Sequence, residues 1–250
     1  MKAHDDKKHN RRGFLRIAGA AAATFAIGGL PFAACAASAA AGKMKIGIVG
    51  SGRIGATLGE IWIKAGHEVM FSSLDLEHDR ALAAKLWPHA RAGTSREAAA
   101  FGDVMLVAVP YSALRPVGKD LADLIKGKVV IDASNPIVAR DGDIAVWARE
   151  KGAGLASAEL LPGARIVRAF NAIGYSRLPG FAQSTGERTG MPIAGDDANA
   201  LATASRLVRD VGLEPVVVGP LAMGKHLIPG TPLGGEHTPE QIRQIVATLK

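Results

Sequence analysis

Gly50, Gly52 and Gly55, in the run Gly50-Ser51-Gly52-Arg53-Ile54-Gly55, have the types and spacing to cradle a pyrophosphate. The first glycine lets the chain turn tightly, the second lets backbone approach phosphate oxygens, and the third lets a helix pack closely on a sheet. A helix starting here offers unpaired N–H groups and partial positive charge to phosphates. Further along, Ser72-Ser73, Val109-Pro110-Tyr111, Ser134-Asn135-Pro136 and Phe170-Asn171-Ala172-Ile173 put hydroxyls, amides and apolar groups where strands should end. No acid–base pair stands out, and the chain has no H-E-x-x-H, no G-x-S-x-G and no clustered metal ligands. His226, in Met223-Gly224-Lys225-His226, reads as a loop histidine, so no catalytic side chain is assigned. The combination suits hydride transfer between ring systems, which needs alignment more than proton chemistry because the cofactors carry the reactivity.

Positioning these groups requires alternating strands and helices. Nearly continuous apolar runs predict strands at Lys45–Val49, Glu68–Phe71, Val104–Val109, Val129–Asp132, Arg165–Phe170, Pro192–Ala194 and Pro215–Val218, with a short one at Ala90–Gly93. Helical stretches lie near Ile54–Ala65, His78–Leu86, Ser95–Ala100, Ser112–Leu124, Ile144–Lys151 and Asn199–Val211. The expected fold is α/β, a doubly wound, mostly parallel Rossmann-type sheet covered on both faces. One domain, 44–250, with a short Gly- and Pro-rich C-terminal appendage after Leu221, accounts for all of it.

Residues 1–43 read as something else. Asn10-Arg11-Arg12-Gly13-Phe14-Leu15-Arg16 is a twin-arginine pattern, followed by an Ala/Gly-rich apolar stretch and A-x-A cleavage options at Ala37–Ala39 and Ala39–Ala41. The apolar stretch is short and broken by Gly28, Gly29 and Pro31, which fits an export signal better than a membrane span. The expectation is export to the periplasm through the twin-arginine machinery. Cys35, the only cysteine, follows Phe32-Ala33-Ala34 in a loose lipoprotein box; a lipid anchor there is the lesser alternative. Seven Lys/Arg against two Asp give this segment most of the chain's +7, leaving +2 for the rest. A nucleic-acid partner is therefore not expected.

In a Rossmann unit the end of the second strand meets the adenosine ribose, and an acidic residue there excludes a 2′-phosphate. Ser72 and Ser73 hold that position, and Arg53 adds charge, so NADP is expected over NAD, although Asp75 and Glu77 follow closely.

Taken together the motifs resemble the NADPH-dependent deazaflavin (8-hydroxy-5-deazaflavin) oxidoreductase family, related in fold to the cytosolic domain of six-transmembrane ferric reductases. The resemblance covers 44–250 and rests on M-K-I-G-I-V-G-S-G-R-I-G, G-H-E-V…S-S, D-V-M-L-V-A-V-P, R-A-F-N-A-I, M-P-I-A-G-D-D and V-V-V-G-P-L. It implies NADP held by Gly50, Ser51, Gly52, Arg53, Ile54 and Gly55 at the pyrophosphate and by Ser72 and Ser73 at the 2′-phosphate. Val109 and Pro110 would contact the nicotinamide, with Asn135 and Asn171 nearby, and no metal is held. A deazaflavin or flavin would be co-substrate, the expected partner a small-molecule electron acceptor, and a homodimer the expected assembly. Members of that family commonly carry Arg directly after the serine; here Leu74 stands there. Two other readings are a non-catalytic exported nucleotide-binding protein and a carbonyl or imine reductase.

Overall fold

The computed structural model describes residues 42–184 and 186–249. The twin-arginine pattern, the cleavage options and Cys35 lie outside the described residues. One eight-stranded sheet organises the rest, in the order β3-β2-β1-β4-β5-β6-β7-β8. Its strands are β1 (Lys45–Val49), β2 (Glu68–Ser72), β3 (Ala90–Ala92), β4 (Val104–Val107), β5 (Val129–Asp132), β6 (Arg165–Arg168), β7 (Gly190–Gly195) and β8 (Glu214–Gly219). The helices are α1 (Arg53–Lys64), α2 (Leu76–Lys85), α3 (Ser95–Phe101), α4 (Leu114–Asp120), α5 (Ala122–Ile125), α6 (Val138–Asp141), α7 (Asp143–Lys151), α8 (Ala153–Leu160), α9 (Leu178–Phe181), α10 (Ala198–Asp210) and α11 (Pro239–Thr248). This is the α/β, Rossmann-type architecture expected from the sequence.

β1 lies between β2 and β4, parallel to both, so the strand order reverses there. A crevice opens at such a switch point, beyond the carboxyl ends of the strands. Apolar clusters cover both faces: Ile46, Ile48, Leu58, Trp62 and Phe71 in one, Val49, Met105, Tyr111 and Leu114 in the other. α1 is pressed close because Gly59 leaves no side chain; a Cβ there would come within 2.3 Å of the Phe71 ring. Trp62 meets Phe170 edge to face at 5.9 Å and donates its indole N–H to the Leu207 carbonyl.

Several expectations are corrected. β6 stops at Arg168 rather than Phe170, because Phe170 adopts the left-handed region at φ 63°, which a strand cannot continue through. β4 likewise ends at Val107. The single helix expected over Ser112–Leu124 is a 3₁₀ turn at Tyr111–Ala113 followed by α4 and α5. β7 runs antiparallel to β6, and β8 follows β7, so the last two strands point opposite to the others. The chain after Leu221 ends in α11, begun by a capping box in which Thr238 and Gln241 serve each other's N–H groups.

Candidate functional site

The turn after β1 is tied down before it reaches the crevice. The Ser72 carbonyl accepts from both Gly50 N (2.8 Å) and Ser51 N (3.1 Å). Gly50 sits at φ +98°, where a Cβ would also strike the Ala108 carbonyl at 2.6 Å. α1 then begins from Gly52, its first i−4 bond running from Ala56 N to the Gly52 carbonyl. The N–H groups of Arg53, Ile54 and Gly55 precede that bond and have no intrahelical acceptor. Gly55 lets this turn of helix approach: a Cβ would lie 2.1 Å from the Gly50 carbonyl. Gly52 differs, since a Cβ there would enter open space.

Two clefts meet over this loop. The first, about 680 Å³, is lined by Gly50, Gly52, Ser73, Leu74, Asp75, Pro116 and Asp120 among others. The second, about 490 Å³, is lined by Arg53, Ile54, Asn135, Asn171, Tyr175 and Pro229 among others. Ala108, Val109 and Pro110 line both, making one continuous wall between them. Both volumes suit the halves of a dinucleotide-sized ligand or a ring of comparable size.

Under the second cleft runs a buried polar ladder. Arg168 and Asp132, both fully buried, pair at 2.6 Å, and Arg168 also donates to the Ser134 carbonyl (2.8 Å) and to Asn135 Oδ1 (3.3 Å). Asn135 Nδ2 donates to the Asn171 carbonyl (2.9 Å), and Asn171 Nδ2 donates to the Ser134 carbonyl (3.3 Å). Ser134 Oγ and Asn171 Oδ1 are buried and have no hydrogen-bond partner within the protein. At the rim, Asp141 accepts from Ser112, Ile137 and Arg140, knotting the turns after β4 and β5 together. Burial pushes the Asp141 carboxyl up, but the bonds from Arg140, Ile137 and Ser112 outweigh it and hold it below the usual carboxylate range.

The candidate residues divide accordingly. Gly50, Gly52 and Ser73 border the first cleft, Arg53, Ile54, Asn135 and Asn171 the second, and Val109 and Pro110 both. Three line neither cleft: Gly55, packed against the Gly50 carbonyl, and two serines. Ser72 is buried, its hydroxyl donating to the Ile48 carbonyl at 2.7 Å, because successive residues of a strand face opposite sides. Ser51 is buried too, with its N–H spent on Ser72 and its hydroxyl donated to Asp79. Arg53 borders the second cleft and not the first, its guanidinium lying over the Tyr175 ring at 5.4 Å.

Tyr111 turns into the core, where its hydroxyl donates to the Ala153 carbonyl, and burial above all pushes its pKa up to about 12. It therefore stays protonated and offers no base. His226 borders neither cleft, because β8 runs away from the crevice before the chain doubles back to bring Pro229 there. Sequence reasoning missed Asp79, Arg168 and Tyr175. Arg168 is a charge inside an apolar strand run, a signal of a buried partner, whereas Asp79 stands among exposed polar neighbours and gives no such signal. Among the described residues no group of three or more His, Cys, Asp or Glu could hold a metal, and no helix is long and apolar enough to cross a membrane.

Residues 45–136, from β1 through the turn after β5, match the family model described as NADP oxidoreductase, coenzyme F420-dependent. The F420-dependent NADP reductase of Methanothermobacter thermautotrophicus is 30% identical over 206 residues, covering 76% of this chain and 87% of that protein. The chain belongs to the F420-dependent NADP reductase family. Its members are NADP-dependent oxidoreductases, and this chain is an oxidoreductase of that kind. The metalloreductase STEAP3 of Rattus norvegicus is also 30% identical, over 189 residues, but the chain spans only 35% of that protein's length. Among solved structures, a hypothetical protein of Sinorhizobium meliloti, SMa0349, superposes with a TM-score of 0.65 at 23% identity. That match covers 79% of this chain and 96% of the other and shows the shared fold.

Proposed function

We propose that this protein transfers hydride between NADP(H), laid across the two clefts, and a flavin-like or deazaflavin ring seated in the second. The observation that carries this reading is the wall Ala108–Val109–Pro110, common to both clefts, which joins an adenosine-sized space to a ring-sized one directly over the glycine turn. The residues present fit a dinucleotide. Gly52 leaves open space against the first cleft, and the first turn of α1 presents N–H groups without an intrahelical acceptor.

In this arrangement the N–H groups of Arg53, Ile54 and Gly55 bind the pyrophosphate. Asn171 and Ser134 form the floor of the second cleft, their unpartnered side-chain oxygens buried beneath its surface. Val109 and Pro110 orient a flat ring without offering it a proton. A bound nicotinamide supplies the hydride itself, which is why the absence of an acid–base pair along the clefts suits the reaction. Arg53, exposed beside Tyr175, marks the entrance of the second cleft as cationic and aromatic, a suitable mouth for an anionic aromatic acceptor. Incubating the protein with NADPH and either a deazaflavin or a free flavin should consume NADPH at a rate proportional to enzyme. Loss of no NADPH with any deazaflavin, flavin or quinone would refute the assignment.

Residues 1–43 are proposed to direct export to the periplasm by the twin-arginine route, on the strength of Arg11-Arg12 and the apolar, small-residue stretch after them. Changing both arginines to lysine should leave the full chain in the cytoplasm; unchanged export in a cell-fractionation assay would remove that proposal.

A further inference from the structure

The lip of the first cleft is governed by a residue that touches no ligand. Asp79, on α2, is completely buried and accepts hydrogen bonds from two serine hydroxyls. One is Ser51 Oγ of the glycine turn, and the other is Ser73 Oγ at the end of β2, at 2.9 Å. A serine hydroxyl has one proton to give. Ser73 directs it to the Asp79 carboxylate, with the Asp75 carbonyl at 3.2 Å as the only competing acceptor, and it accepts from Asp75 N at 3.1 Å. What Ser73 can still show the cleft is a lone pair. A lone pair accepts a hydrogen bond from a ribose hydroxyl, but it has nothing to donate to a phosphate.

The charges nearby point the same way. The lining of the first cleft includes Asp75 and Asp120 and no lysine or arginine. Leu74, fully exposed, occupies the place directly after the serine. Arg80, one residue beyond Asp79, pairs with Glu77, and Arg53 belongs to the second cleft. A 2′-phosphate beside Ser73 would meet the Asp75 carboxylate and a hydroxyl whose proton is turned away from it, toward Asp79.

We infer that Asp79 is a positioning residue for nucleotide selection: by holding the Ser73 proton it weakens the hold on a 2′-phosphate and lets the adenosine lip read a free 2′-hydroxyl as well, so that NADH binds this protein about as tightly as NADPH. The inference rests on the reading of the first cleft as the adenosine site. It also explains why two hydroxyls from separate elements converge on one buried carboxylate.

The test is a direct binding titration, by calorimetry, of NADH and NADPH with the intact protein and with Asp79→Asn and Ser73→Ala. The parent should bind NADPH no more than threefold more tightly than NADH. Asp79→Asn keeps the shape but supplies an amide donor and removes a charge. It frees a serine proton, and the NADPH-to-NADH affinity ratio should rise tenfold or more. Ser73→Ala, at a partly exposed site and with its fold checked by a thermal melt, should weaken NADH severalfold and leave NADPH unchanged. A parent preference for NADPH above tenfold, unmoved by Asp79→Asn, would overturn the role of Asp79 while leaving the cleft assignment intact. So would a Ser73→Ala loss confined to NADPH. Failure of both nucleotides to bind the parent would overturn the cleft assignment and the inference with it.

Discussion

Replacing Arg168 by methionine is expected to lower the unfolding free energy by about 3–5 kcal/mol, which for a fold of this size is a fall of roughly 10 °C in Tm. The reason is what the change leaves behind. Asp132 is fully buried against Arg168 at 2.6 Å, and without the guanidinium its charge stays in the interior with only the Ser134 N–H for company. Methionine fills a similar volume, so a cavity is not the cause. The companion double change, Asp132→Asn with Arg168→Met, should recover much of the loss, since removing both charges avoids the stranded ion. Urea unfolding of the three variants measures this, and a single variant within about 1 kcal/mol of the parent would show that the pair is not held as the geometry states. The same guanidinium holds the Ser134 carbonyl and Asn135 Oδ1. The single variant should therefore also loosen the floor of the second cleft, and the methionine–asparagine double change should restore stability more fully than it restores binding there.

The second large effect separates folding from binding within one turn. In Gly52→Ala the added Cβ meets nothing in the protein, and the backbone at φ −68° suits alanine, so stability should stay within about 0.5 kcal/mol of the parent. The methyl group instead takes the space where backbone must approach the pyrophosphate. Dinucleotide affinity should fall by about 100-fold, equivalent to roughly 2.7 kcal/mol. Gly55→Ala behaves otherwise: its Cβ would lie 2.1 Å from the Gly50 carbonyl, a backbone atom that cannot swing aside, so stability and binding should fall together. Thermal melts alongside nucleotide titrations distinguish the two. An unaltered affinity in Gly52→Ala would place the phosphates elsewhere.

The glycine turn was legible because three glycines stood between a strand pattern and a helix pattern, and each has a local conformational reason. The parallel centre of the sheet was legible for a similar reason: apolar runs of strand length alternated with helical ones. Strand direction was not. β7 is as apolar as its neighbours, and nothing in Gly190–Gly195 encodes that it runs against β6. α8 escaped notice because Ala153–Leu160 is buried on most sides and so lacks the one-sided periodicity that marks a surface helix. α11 carried a readable signal, Thr238-Pro239 with Gln241 three residues after the cap, obscured by the glycines and prolines just before it.

At the site, the pair Ser72-Ser73 was read as one unit, yet strand alternation sends one hydroxyl inward and leaves the other at the lip. Which of them meets the cleft depends on register with β1, where Val49 lies opposite Ser72. The partner that then claims the Ser73 proton, Asp79, sits within a helix whose exposed neighbours gave no reason to expect a buried charge.

The double hydrogen bond from Gly50 N and Ser51 N to the Ser72 carbonyl bears on the thermodynamics of association. With the Ser51 hydroxyl anchored on Asp79 as well, the glycine turn owes its shape to bonds internal to the protein. A glycine-rich segment left loose would surrender about 1–2 kcal/mol of backbone entropy per residue when a ligand immobilised it. Here that entropy has already been given up during folding, so contacts made to phosphate by the start of α1 appear almost undiminished in the affinity.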